Sequence, residues 1–192
     1  MKIMTNIEKE NEDKGLFQVV LDDDEEVIQV IRPHKLRAWI GMNVGLTLLS
    51  LILLPMGICT LLFPDSGRDG SIGVGVGILL FWLVSLLFGV VTTTLWCHKT
   101  VYAWTNKRVL IRTGYIGVDY KSLDLNMVGA LSVNVTVMDK IIRKNTGTIA
   151  FGSMASPMTT QNASKFNFAF VYDPYRVYKE VKAYIDQKKS AK

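Results

Sequence analysis

Two histidines, two cysteines and one acidic run are the groups in this 192-residue chain with which chemistry could begin. A catalytic centre needs an acid, a base or a nucleophile converging on one site. His34 and His98 stand on either side of a long apolar region, where polar side chains are the usual occupants of a membrane interface. Cys59 and Cys97 fall within or at the ends of apolar runs, with no Cys-x-x-Cys or Cys/His spacing for a disulfide or a metal. The acidic residues 22–26 are consecutive, which suits neither a calcium loop nor a pair of catalytic carboxylates, so a solvated stretch is expected. Gly73, Gly75 and Gly77 lack the Lys-Ser/Thr of a phosphate-cradling loop. These readings point to a chain that is not an enzyme and needs no metal or cofactor.

Binding is the better supported chemistry. In "MDKIIRKNTG" the pair Ile141 and Ile142 sits among Lys140, Arg143 and Lys144. Exposed, this is an apolar wedge in a basic collar suited to lipid headgroups; buried, the isoleucines cover a core, and the sequence leaves both open. Arg108 and Arg112 share one face of a predicted strand and extend the basic patch. Residues 98–192 hold 15 Lys and Arg against 6 Asp and Glu, whereas residues 1–38 hold 6 against 9. A basic surface attracts anionic lipid. Nucleic acid is not expected, because no aromatic stacking platform interleaves with the basic residues.

These groups are positioned by an unusual division of the chain. Residues 39–63 and 72–97 carry no Asp, Glu, Lys or Arg, and each exceeds the roughly 20 residues a helix needs to cross a bilayer. Both are read as transmembrane helices of a hairpin spanning residues 39–97. Basic residues flank the hairpin on its outer ends, at Arg32, Lys35, Arg37, Lys99, Lys107 and Arg108, while the connecting turn has only Arg68 against Asp65 and Asp69. The expected topology is a two-pass cell-membrane protein with both termini cytoplasmic. Antiparallel helices place Gly45 at the level of Gly89 and Gly57 at that of Gly77, and Gly41/Gly45 and Gly73/Gly77 have GxxxG spacing. Packing within the hairpin uses these glycines, with homo-oligomer contacts as the alternative. The span contains no ionisable group of the kind that marks a transport path, so it reads as an anchor.

After His98 the hydrophobic period becomes two, the strand signature. Strands are expected at residues 100–105, 108–113 and 148–153. Leu131, Val133, Val135 and Val137 form one apolar row; Phe166, Phe168, Phe170 and Tyr172 form another. Ile116, Val118 and Tyr120 have one parity and Leu123 and Leu125 the other, so a strand there must bulge or break at Ser122. Asp173 is a good N-cap and Pro174 a good first residue for a helix burying Val177, Val181, Tyr184 and Ile185. Short strands closed by such a helix predict a small barrel with a helical plug, self-contained from about Lys99. The domains are then an N-terminal cytoplasmic segment (1–38), the hairpin, the β-domain (98–187) and a basic tail (188–192).

"EEVIQVIRPHK", "VYAWTNKRVLIRTGYIG", "GTIAF" and "VYDPYRVYKEVKAYI" resemble the bacterial pleckstrin-homology (PH) domain membrane proteins of the YdbS/YdbT-like type. The resemblance covers roughly residues 25–187. Its Tyr-x-x-Thr-x-x-Arg pattern falls on Tyr102, Thr105 and Arg108, and its later Gly-Thr on Gly147 and Thr148. It implies a membrane hairpin followed by a mainly-β PH-like barrel of two orthogonal antiparallel sheets with a C-terminal capping helix. The function implied is a membrane-fixed interaction module that assembles with membrane proteins or itself. Recognition of anionic lipid headgroups is the alternative, and an accessory role to a transporter or to tolerance of membrane-active peptides is also compatible.

Overall fold

A computed structural model describes residues 11–63, 71–141, 145–153 and 166–190. The chain divides into two compact units, Ala38–Leu95 and a second formed by Met1–Arg37 with Trp96–Lys192. The first is helical. Helix α1 spans Lys35–Leu62 and α2 spans Ser71–Lys99, and both are apolar around their whole circumference. Each is long and apolar enough to cross a membrane; only 6% and 11% of their most apolar stretches are buried, the reverse of a core helix in a soluble domain.

Hydroxyl and amide side chains of the hairpin bond within it, whereas the buried Trp82 Nε1 has no hydrogen-bond partner. Asn43 Nδ2 donates to Thr93 Oγ1 on the facing helix (2.8 Å) and to Trp39 O (2.9 Å). Thr47, Ser50, Ser85, Thr92 and Thr94 donate to carbonyls one turn earlier. Close approach between the helices centres on three glycines. A Cβ at Gly57 would lie 2.7 Å from Leu79, one at Gly75 2.6 Å from Thr60, and one at Gly89 would overlap the Asn43 side chain. Gly45, Gly73 and Gly77 meet nothing there.

The second unit holds two antiparallel sheets and a helix. Strands β1 (Val27–Ile31), β2 (Val101–Thr105), β3 (Arg108–Thr113) and β4 (Asp119–Asp124) form one sheet in that order. Strands β5 (Val128–Asn134), β6 (Thr146–Ser153) and β7 (Phe166–Tyr172) form the other, with short helix α3 (Val137–Ile141) after β5 and helix α4 (Pro174–Ser190) at the end. Tyr102, Trp104, Val109, Ile111 and Leu123 of the first sheet meet Ile149, Phe151 and Phe168 of the second, and Val177, Val181 and Ile185 of α4 complete the core. The sheets share this core without closing into a continuous barrel; a 3-10 turn, Leu125–Met127, joins β4 to β5.

Several features depart from the sequence reading, most of them for a tertiary reason. Where that reading divides the N-terminal segment from the β-domain, β1 pairs with β2, Val30 opposite Ala103 and Ile31 opposite Tyr102. The hairpin therefore interrupts one sheet in sequence, and a fragment starting at Lys99 would lack its first strand. No break occurs at Ser122: β3 and β4 pair without a register shift from Arg108/Asp124 to Thr113/Asp119. Ile116 and Val118 precede β4 and are exposed, so the change of parity falls between Tyr120 and Leu123, which face opposite sides of the sheet. Leu123 enters the main core, while Phe17, fully buried, covers the opposite face against Val101, Ala103 and Leu110, with Tyr120 edge-on to it at 6.3 Å.

The valine row ends at Asn134. Asp139 reaches back to the start of α3, its Oδ2 accepting from Thr136 N (2.8 Å) and Thr136 Oγ1 (2.6 Å), and Val137 is left exposed. The aromatic row of β7 breaks at a bulge, where Phe170 takes a left-handed φ of 56° and Val171 replaces it in the core. A side chain in that conformation costs on the order of 1–2 kcal/mol, so surrounding contacts must hold it. Helix α4 begins at Pro174 as expected, but Asp173 has φ 48° and its carboxylate accepts from Asn145 Nδ2 (3.2 Å).

Candidate functional site

Two buried ion pairs organise the sheet domain, and each joins the segment before the hairpin to the chain after it. The first lies at the β2–β3 turn. Thr105 Oγ1 accepts from Lys107 N (3.1 Å) and Arg108 N (3.0 Å), which fixes the turn. It also bonds Glu25 Oε1 at 2.5 Å, and Arg108 Nη2 donates to Glu25 Oε2 (2.7 Å) and to Val20 O (2.8 Å). Burial pushes the Glu25 carboxyl up, but the bonds from Arg108, Thr105 and the Asp22 amide outweigh it and leave the pKa below its usual value. Lys107 pairs with Asp24, and Asn106 Nδ2 donates to Asp24 O (3.0 Å). Glu25 alone of the acidic run is thereby buried, while Asp22, Asp23, Asp24 and Glu26 stay exposed around the turn.

Tyr102, the first residue of the Tyr-x-x-Thr-x-x-Arg pattern, stacks on Phe168 with centroids 4.8 Å apart, and its oxygen accepts from Ala169 N (3.2 Å). Burial pushes its phenol pKa up. Tyr102, Thr105 and Arg108 thus join the two sheets and clamp β1. A Cβ at Gly147 would come within 2.9 Å of Pro174, so this glycine admits the start of α4.

The second pair lies where the segment enters α1. Arg37 Nε donates to Asp139 Oδ1 (2.5 Å), and both side chains are buried. Asp139 also accepts from Thr136 N, Thr136 Oγ1 (2.6 Å) and Thr146 Oγ1 (2.7 Å). Burial raises the carboxyl pKa, yet these donors prevail and hold it at about 2. The Arg37 guanidinium lies 5.0 Å above the Phe170 ring, and Trp96 meets the same ring edge-on at 6.0 Å. His34 N donates to Phe170 O (2.7 Å), while His34 Nδ1 accepts from Arg37 N (3.3 Å) and caps α1. These contacts hold the bulge at Phe170.

The residues that the sequence offers as binding groups fall into different places. Arg108 is committed to Glu25. Arg112 Nη1 donates to Lys99 O (3.0 Å) and its Nε to Tyr120 Oη (3.3 Å). Lys140 is exposed on α3 and Ile141 ends that helix, while Ile142, Arg143 and Lys144 lie outside the described residues. Gly57 and Gly89 pack on the facing helix; Gly41 is partly exposed. Glu25, Arg37 and Asp139 are the residues the sequence reading misses. The cap signal Thr136-x-x-Asp139 was available, but the valine alternation runs through it. Among the described residues no group of His, Cys, Asp or Glu is placed to hold a metal.

A sequence model of the family described as Bacterial PH domain matches residues 44–185. No curated protein and no solved structure matches the chain. The matched range starts inside α1, so β1, Glu25 and Arg37 lie before it.

Proposed function

The chain belongs to the bacterial PH domain family, and from that premise we propose that it is a membrane-anchored, non-enzymatic interaction module. It assembles with membrane proteins, further copies of itself included, at the cytoplasmic face. The observation that carries this reading is the split sheet: β1 precedes the hairpin, β2 follows it, and the two are hydrogen-bonded neighbours. The domain is thereby tied to the hairpin at both ends of the hairpin's chain. A module confined to the membrane plane meets partners there at high effective concentration, so modest contacts suffice for occupancy. The basic residues flanking the two helices support a topology with both termini cytoplasmic. Copurification from native membranes in mild detergent, with mass identification, tests the proposal. A reproducible protein partner or self-association is expected; a preparation carrying only enriched anionic lipid overturns it.

The lipid reading has its own support in the exposed Val137 and Met138 beside exposed Lys140. On that reading, Lys140→Glu, Arg143→Glu and Lys144→Glu together remove anionic lipid that copurifies with the full chain. Wild-type retention falls as salt rises, because the attraction acts over a Debye length of about 8 Å near physiological salt. Lipid content unchanged by the triple reversal rejects it.

A further inference from the structure

Apolar side chains scattered singly over a surface need no account. In the sheet domain, however, two exposed pairs lie beside the roots of the two long helices. Tyr115 and Ile116 form the tip of the β3–β4 turn, with Ile116 91% exposed. This tip is pinned to the end of α2: Lys99 Nζ donates to Ile116 O, and Thr100 Oγ1 lies 3.2 Å from Thr113 Oγ1. Lys99 is the last residue of α2 and only two residues beyond the apolar run that ends at Cys97. At 1.5 Å of rise per residue, that is about 3 Å of helix axis.

Val137, 71% exposed, and Met138 form the second pair, in the first turn of α3. They are pinned to the start of α1, because Asp139 and Thr136 of the same turn bind Arg37, two residues before the apolar run that begins at Trp39. The two roots are themselves adjacent, since Arg37 and Trp96 both pack on the Phe170 ring. Lys99 and Lys140 supply positive charge next to the two tips.

We infer that residues 115–116 and 137–138 are membrane-contacting tips, seated in the headgroup boundary of the bilayer that the hairpin crosses. The occupant of this surface is lipid. Each tip is hydrogen-bonded to a residue that chain continuity places within a turn of the hydrocarbon, and aromatic and aliphatic side chains in a basic surround suit that depth. Burial of both tips in lipid would fix the domain's tilt on the membrane without recognition of any particular headgroup. The inference rests on the membrane-anchored reading of the hairpin.

The test uses the full chain with Cys59→Ala and Cys97→Ala, reconstituted in vesicles of phosphatidylethanolamine and phosphatidylglycerol. An environment-sensitive fluorophore is attached in turn at Ile116→Cys, Val137→Cys, Lys179→Cys and Leu80→Cys. Labels at 116 and 137 should emit at shorter wavelength than the label at 179 on α4 and be quenched severalfold more by lipids spin-labelled near the headgroup. The label at 80 should respond to lipids spin-labelled deep in the acyl chains. If 80 responds but 116 and 137 behave like 179, the tips are in water and this inference is overturned while the anchor stands. If 116 and 137 are shielded yet no lipid quenches them, a protein covers the tips and the inference is again overturned. Failure at 80 rejects the anchor reading itself. Tyr115→Cys and Met138→Cys give the same readout should either first label disturb folding.

Discussion

The two ion pairs fasten the N-terminal segment to the sheet domain with opposite polarity. At the β2–β3 turn the segment supplies the acid, Glu25, and the domain the base, Arg108; at the root of α1 the segment supplies Arg37 and the domain Asp139. They differ in their access to water. Arg108 keeps 25% of its side chain exposed and has Val20 O as a second acceptor, whereas Arg37 and Asp139 are 6% and 3% exposed. A buried pair is tolerable only when every donor and acceptor is satisfied, and losing one partner strands the other. Hence Asp139 carries two threonine hydroxyls and a backbone amide besides the guanidinium. The comparison teaches that the pair at the helix root is the less forgiving one, while the pair at the turn can fall back on solvent.

Removing both fastenings at once should have the largest effect. A fragment beginning at Lys99 loses β1, Phe17, Glu25 and Arg37 together, and should give no cooperative thermal transition in circular dichroism. A chain in which residues 11–34 are joined to residues 98–190 by a flexible linker keeps the turn fastening and should regain one. Cooperative unfolding of the fragment alone would show that neither pair is needed for the fold. Next in size is Asp139→Ala, which leaves the Arg37 charge buried without a counter-charge and should cost about 3–5 kcal/mol in the full chain. Combining Arg37→Met with Asp139→Leu should recover much of that loss, since the desolvation of both charges is removed.

Acid should act on both pairs with the same sign. The folded pKa of each carboxyl is lowered, so the stabilisation is fully present above the unfolded value and is lost as pH falls through the folded one. For Asp139 that window runs from about 4 to about 2, and the loss should be on the order of 2 kcal/mol, read from melting temperature against pH. Asp139→Asn should flatten that limb of the curve. The smallest effect is expected for Glu25→Ala, about 1–2 kcal/mol, because Arg108 can turn to water. A cost for Glu25→Ala equal to that for Asp139→Ala would erase the distinction between the two sites.

Much of the site was quoted in the sequence without its use being legible. Tyr102, Thr105 and Arg108 stand out as a pattern, but Glu25 lies 80 residues before Thr105 and nothing local connects them. Arg108 consequently reads as a free cation, and Glu25 as one more solvated acid of its run. Phe170 has the parity of Phe168 and only the register of β6 reveals the bulge that separates them.

The sequence by itself determined the two membrane-length helices, the strands at Arg108–Thr113 and Phe166–Tyr172, and the apolar face of α4. Those depend on hydropathy, on alternation and on capping residues, all of which act within a few neighbours along the chain. Tertiary structure alone decided that a strand ahead of the hairpin completes the sheet, that Phe17 covers its outer face and that Arg37 finds Asp139. Each of these is a contact between segments separated by the whole hairpin. The free energy that selects them comes from burying apolar surface and neutralising charge at positions that become neighbours only when both ends of the hairpin return to one domain.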